Sequence, residues 1–260
     1  MKRAIRAVAF SICIIFLMYT VPNIVYDMIF SRIDIDTAVA NAIVSICIIV
    51  VPCLIYLYIF QYDINIKECL KLKKISYRQI FILILIGFFI QPVSMLIGSV
   101  TNLFFGDKVM EYMALLSNTS FVVMIVALAI IPAIMEEIFM RGIILYDLRG
   151  LGLKSAAVLN GFIFGVMHMN FTQFFYAFVL GIVFVYIVNI TGSIYSSIII
   201  HFVINATQVI LMRSLLDLGD IEGNASMSVK IGAIGFIGVI SIICLPILIL
   251  LFKKIKEYSV

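Results

Sequence analysis

The chain is 260 residues long, 64% hydrophobic and 12% charged, with a mean hydropathy of +1.23 and a formal net charge of +4. An ordinary globular domain is about half apolar and about a quarter charged, so this composition is that of a membrane protein. Its lysines and arginines follow the loops between apolar runs rather than forming a patch that could grip a phosphate backbone, and no nucleic-acid partner is expected.

A run of about 20 apolar residues crosses a ~30 Å hydrocarbon core as a helix, which satisfies its own backbone groups. The two-residue alternation of barrel strands is absent. In chain order the apolar runs lie near residues 7–27, 37–60, 79–101, 119–147, 155–170, 172–190, 193–215 and 230–252. The expected fold is all-α: about eight transmembrane helices in one bundle, forming a single membrane domain over residues 1–260. No linker, low-complexity tract or internal repeat divides it.

The first run opens MKRAIRAVAF and imitates a signal peptide, but the nearby Ala38-Val39-Ala40 lies well past it, so an uncleaved first span is expected. On the eight-span drawing fourteen Lys and Arg residues share the side of both termini and four (Arg32, Lys108, Arg213, Lys230) fall on the other. That asymmetry puts both termini in the cytoplasm of a multi-pass protein of the cell (plasma) membrane. The opposite loops hold Asp27, Asp34, Asp36, Asp107, Glu111, Asp217, Asp220 and Glu222, and Leu216 to Ser228 forms an acidic outer turn. Between the second and third runs, Lys67 to Gln79 reads as a short amphipathic loop or interfacial helix. Five cysteines show no C-x-x-C pairing and read as free, small apolar residues.

Within the fourth run, IPAIMEEIFMRG (131–142) sets two carboxylates and a guanidinium in apolar surroundings. Each buried charge costs about 2.5–3.5 kcal/mol on insertion scales, so such residues face protein or a water cavity and have partners there. Glu137 and Arg141 stand four apart and meet on one helical face. Glu136 points about 100° away and is not served by that pair. Pro132, four before Glu136, cannot donate to the carbonyl of Leu128; a kink there would help to open a wet cavity. Gly142, Gly161 and Gly165 would let helices approach closely. Gln91 and Asn160 read as helix-packing hydrogen bonds.

The fifth and seventh runs hold the chain's two histidines, His168 and His201, and Asn205 lies four beyond the second on the same face. Measured from a boundary at Arg149, Lys154 and Thr191-Gly192, Glu136 and His168 lie about 20 Å deep and His201 about 14 Å at ~1.5 Å per residue. That common level is what one intramembrane site needs. Taken alone, the same residues also fit a surface salt bridge and packing histidines.

Glu136-Glu137-x-x-x-Arg141, Phe164-x-x-x-His168 and His201-x-x-x-Asn205, in that order on successive helices, resemble the type II CAAX prenyl endopeptidase and bacteriocin-processing family of intramembrane proteases. That family includes the lysostaphin-resistance-like proteins. The resemblance covers a protease-like core of about 119–215 and implies an active-site cavity within the bilayer. It implies an endopeptidase, a hydrolase acting on a membrane-associated peptide or protein. Glu136 would be the general base that activates water, His168 would help to hold that water, and His201 and Asn205 would stabilise the oxyanion. Glu137, Arg141 and Phe164 would support them. No obligatory cofactor is expected; the alternative is a zinc ion held by Glu136, His168 and His201 with a fourth position open to water. Two other functions remain open at this point: a non-catalytic bacteriocin-immunity or scaffold membrane protein, and an ion-coupled transporter, since carboxylates and histidines in spans also form relays.

Overall fold

Eight long or medium helices follow one another where the eight apolar runs lie. In the computed structural model, which describes every residue except 34, 61, 63, 107, 218–225 and 260, they are α1 (Lys2–Arg32), α2 (Thr37–Ile59), α3 (Tyr77–Phe105), α4 (Phe121–Leu151), α5 (Leu153–Met167), α6 (Phe171–Thr191), α7 (Ile194–Leu215) and α8 (Met227–Glu257). Seven are long and apolar enough to cross a membrane; α5, with 15 residues, is the short one at about 22 Å. The chain is an all-α, multi-pass membrane protein. Asp34, Asp107, Asp220, Glu222 and most of the acidic outer turn lie outside the described residues.

Local sequence sets the helix boundaries. Asp36 accepts from the backbone N–H of Ala38 at 2.8 Å and starts α2, and the same carboxylate takes a 2.8 Å bond from Thr119. Ser76 and Gln79 form a reciprocal capping box at the start of α3. Of the stretch Lys67 to Gln79, the first residues belong to a short helix, Ile66–Leu70, and the last three open α3; between them residues 71–76 are non-helical, and Leu72 pairs with Ser193 in an isolated bridge.

The bundle has two distinct ends. At the end carrying both termini, Arg6 grips Asp147 through two 2.7 Å bonds, Ser193 Oγ donates to the carbonyl of Lys73 at 2.5 Å, and Gln79 reaches the carbonyl of Tyr258 at 3.2 Å. At the other end, the short helix Lys108–Leu115 is tied down by a 3.0 Å bond from Asn41 to the Tyr112 hydroxyl. There Arg213 also donates to the carbonyls of Ser117 and Thr119, and Thr172 to that of Gly106.

Helices α5 and α6 form a close antiparallel hairpin. A Cβ on Gly161 would stand 2.7 Å from the carbonyl oxygen of Phe178, and one on Gly165 would stand 2.9 Å from that of Phe174. Gly142 differs from the expectation, because its nearest neighbour is a Leu70 side-chain tip, at 3.1 Å, on the short helix Ile66–Leu70 rather than a second span. All five cysteines are free, as the missing C-x-x-C spacing implied.

Candidate active site

Helix α4 is regular only in part. Val126–Ile130 and Ile138–Ile144 are wound as wider π-helical turns, with an ordinary α-helical stretch, Ile131–Glu137, between them. Pro132 sits at the start of that stretch, where its missing N–H is tolerated, and the turn before it takes up the misfit by bonding Ile131 N–H to the carbonyl of Val126. The result is a re-phased helix in place of a simple kink. Such turns recur at functional sites because they aim side chains off the regular helical face.

Among the described residues Arg141 is the largest fully buried side chain, and its two terminal nitrogens and its guanidinium faces have neighbours while Nε has no hydrogen-bond partner. Its Nη1 donates to Glu137 Oε1 at 2.8 Å, with both side chains at 0% exposure. Nη2 reaches the carbonyl of Gly181 at 3.4 Å, and the guanidinium stacks on Phe164 and Phe184 at 4.4 and 4.9 Å. The same Glu137 oxygen takes a 3.0 Å hydrogen bond from His201 Nδ1. A carboxylate shared by a guanidinium and an imidazole is held ionised where an isolated one would be costly.

Glu136, the neighbouring carboxylate, faces a cavity of about 220 Å³ instead. His168, His201, Asn205, Phe164 and Pro132 line the same cavity. Glu136 Oε2 is buried with no hydrogen-bond partner among the described residues, and lies 3.9 Å from His201 Nε2. That distance is too long for a direct hydrogen bond and is of the length a bridging water spans.

His168 follows the last residue of α5, where Met169 takes a left-handed conformation (φ +49°) and Asn170 caps α6 through the N–H of Thr172. Its Nδ1 stands 2.8 Å from the carbonyl oxygen of Phe164. A carbonyl only accepts, so Nδ1 carries the proton and Nε2 of the neutral ring is an acceptor. Gln91 and Asn160 are packing hydrogen bonds as expected: Gln91 Nε2 donates to the carbonyl of Ile204 at 2.8 Å, Asn160 Nδ2 to that of Met140 at 2.7 Å.

The four motif side chains Glu136, His168, His201 and Asn205 thus border one space, with Glu137, Arg141 and Phe164 packed behind them. All lie between the start of α4 and the end of α7. Residues 118–207 match the family model of the type II CAAX prenyl endopeptidase Rce1-like domain. The Rce1-like segment covers all three motifs and points to a function of the CAAX-type intramembrane protease kind. No curated protein and no solved structure gives a match to the chain.

Among the described residues, no three His, Cys, Asp or Glu side chains of the Rce1-like segment or elsewhere are grouped to hold a metal ion. His201 commits Nδ1 to Glu137 and His168 commits Nδ1 to the carbonyl of Phe164, which leaves Nε2 of each ring as the nitrogen available to the cavity.

Two features escaped the sequence. The direct bond from His201 to Glu137 joins residues 64 apart, and the i,i+4 rule offers no signal for it. Asp147 carries none of the family motifs, yet it is buried at 2% exposure and takes hydrogen bonds from Arg6 of α1 and from the Tyr56 hydroxyl of α2. Its only sequence signal was an acidic residue inside an apolar run.

Proposed function

We propose that the chain is an intramembrane endopeptidase that hydrolyses a peptide bond of a membrane-associated protein or peptide with water activated by Glu136. The observation that carries this reading is the partnerless, buried Glu136 oxygen facing a cavity shared with two imidazoles and an amide. Glu137, by contrast, is held through Oε1 by Arg141 and His201 and does not border that cavity.

In this reading the water sits between Glu136 and His201, across the 3.9 Å gap. Glu136 takes its proton as the oxygen attacks the scissile carbonyl. His168, whose acceptor Nε2 is fixed by the bond from Nδ1 to Phe164, holds the second water hydrogen and orients the attacking lone pair. The Asn205 amide donates to the developing oxyanion, and so does His201 Nε2–H when the ring is protonated beside the Glu137 carboxylate. Glu136 then passes its proton to the leaving nitrogen. Glu137 and Arg141 touch neither water nor substrate; they are positioning residues that fix the ring plane of His201. No step requires a metal ion.

The test compares the membrane proteomes of cells carrying the parent protein and the Glu136→Gln variant. The reading expects at least one membrane-associated protein to be shortened only with the parent. Identical proteomes, with both proteins present at equal level, count against it.

A further inference from the structure

The cavity beside Glu136 has a direction. Its deep end is walled by Glu136, Phe184 and His201, and its far end by Val109, Tyr112, Gln173 and Met212. Those last four belong to the short helix Lys108–Leu115, the start of α6 and the end of α7, all at the end of the bundle away from the termini.

Toward the end that carries the termini, the next turns of α4 are closed: Phe139, Met140, Arg141, Ile143 and Ile144 are each at most 1% exposed. A separate cavity of about 190 Å³, lined among others by Lys71, Arg149 and Arg141, reaches inward from that end and shares no wall residue with the first. The buried Glu137–Arg141 pair stands between the two.

Charge fixes which end is which. With Arg141 set aside as buried, thirteen of the eighteen Lys and Arg residues lie at the end carrying the termini, against four at the cavity's end. Short loops rich in Lys and Arg stay in the cytoplasm.

A second chamber of about 160 Å³ shares Tyr176, Gln208 and Met212 with the first and is lined by Gln91, Ser94 and Thr207. Gln91 Oε1 is buried there with no hydrogen-bond partner among the described residues. An extended peptide at membrane depth needs partners for its own N–H and C=O groups, and an amide- and hydroxyl-lined chamber supplies them, where an isoprenoid tail would need none.

We propose that the substrate is an extended, extracytoplasmic peptide segment, reaching Glu136 from the membrane face opposite the lysine-rich one, with the backbone beside its scissile bond lying in the chamber of Gln91. This rests on the endopeptidase reading for the cleavage itself; the direction of access stands on the cavity and the charges alone. A prenylated cytosolic tail would meet the closed side.

The test is labelling by a membrane-impermeant maleimide in a full-length protein whose five native cysteines are replaced, a background first checked for expression and membrane insertion. Single cysteines are placed by Gln173→Cys in the cavity, Asn118→Cys exposed on the same face, and Lys73→Cys exposed on the lysine-rich face. Gln173→Cys and Asn118→Cys are expected to label on intact cells to the level reached after permeabilisation, and Lys73→Cys only after permeabilisation. The reverse pattern overturns the proposal. So does labelling of Asn118→Cys with Gln173→Cys silent in permeabilised cells, since the cavity would then not open to that face. Labelling does not depend on catalysis, so adding Glu136→Gln leaves it unchanged. Labelling as expected without any cleaved protein would therefore strike the endopeptidase reading and leave the access route standing.

Discussion

Replacing Arg141 by leucine removes a charge from the driest part of the bundle. Glu137, at 0% exposure, would keep only His201 and Ser197 as hydrogen-bonding neighbours among the described residues and would lose its one adjacent guanidinium. Removing one partner of a buried ion pair costs about 3–5 kcal/mol. Losing the guanidinium stacked 4.4 Å from Phe164 and 4.9 Å from Phe184 adds on the order of 1 kcal/mol at a desolvated site. Arg141→Leu is thus expected to destabilise the fold by about 4–6 kcal/mol, or roughly a thousand-fold or more in the folded-to-unfolded ratio. Arg149→Ala is the comparison, because its 3.2 Å pair with Glu68 is 48% and 60% exposed and should contribute about 0–1 kcal/mol. The double variant Glu137→Met/Arg141→Leu removes both charges and should be less destabilised than the two single effects added together, by about 1 kcal/mol or more. Reversible unfolding in mixed micelles, followed by circular dichroism, reads the parent, Arg141→Leu, Glu137→Met, the double variant and Arg149→Ala. Arg141→Leu within about 1 kcal/mol of the parent would refute the view that this pair is a tightly coupled element of the fold.

Asp147→Asn weakens the junction of α1, α2 and α4, since the carboxylate serves Arg6 twice and Tyr56 once; a loss of about 2–4 kcal/mol is expected by the same unfolding measurement. Gly161→Ala forces a methyl group to within 2.7 Å of a backbone oxygen and should cost about 1–3 kcal/mol, whereas Gly150→Ala, with nothing within 4 Å, should be nearly silent. Burial pushes the Cys69 thiol up to about 12, with Asp147 adding to the effect, so it stays protonated at pH 8 and should resist alkylation in the folded protein. Rapid modification of Cys69 by iodoacetamide under those conditions would contradict its burial. The proposed mechanism routes no step through a metal ion, so cleavage should persist in the presence of a chelator; activity lost with chelator and restored by zinc would reverse that expectation.

The polar residues of the spans were legible because each violates the solvent around it. Glu136, Glu137, Arg141, His168 and His201 had to find partners or water, and an i,i+4 spacing already joined Glu137 to Arg141. Which partner each one took was less accessible. His201 was grouped with Asn205 through their shared helical face, and a face says nothing of the helix opposite, from which Glu137 supplies the bond to Nδ1. The π-helical turns around Pro132 left no trace in the sequence, since the same residues read equally well as a regular helix with a proline kink. The number and order of the helices followed from length and hydropathy. The shortness of α5 did not, because the apolar run continues past Met167 through the turn that presents His168.

The central claim is that Glu136 activates the water that cleaves a peptide bond. Its most direct test is cleavage of an identified substrate by purified protein in proteoliposomes, comparing the parent with Glu136→Gln at matched folding. General-base catalysis contributes about 10²–10⁴-fold, so the variant should lose at least about a hundred-fold in cleavage rate while its unfolding transition stays unchanged. A Glu136→Gln protein that cleaves at the parent's rate would contradict the account.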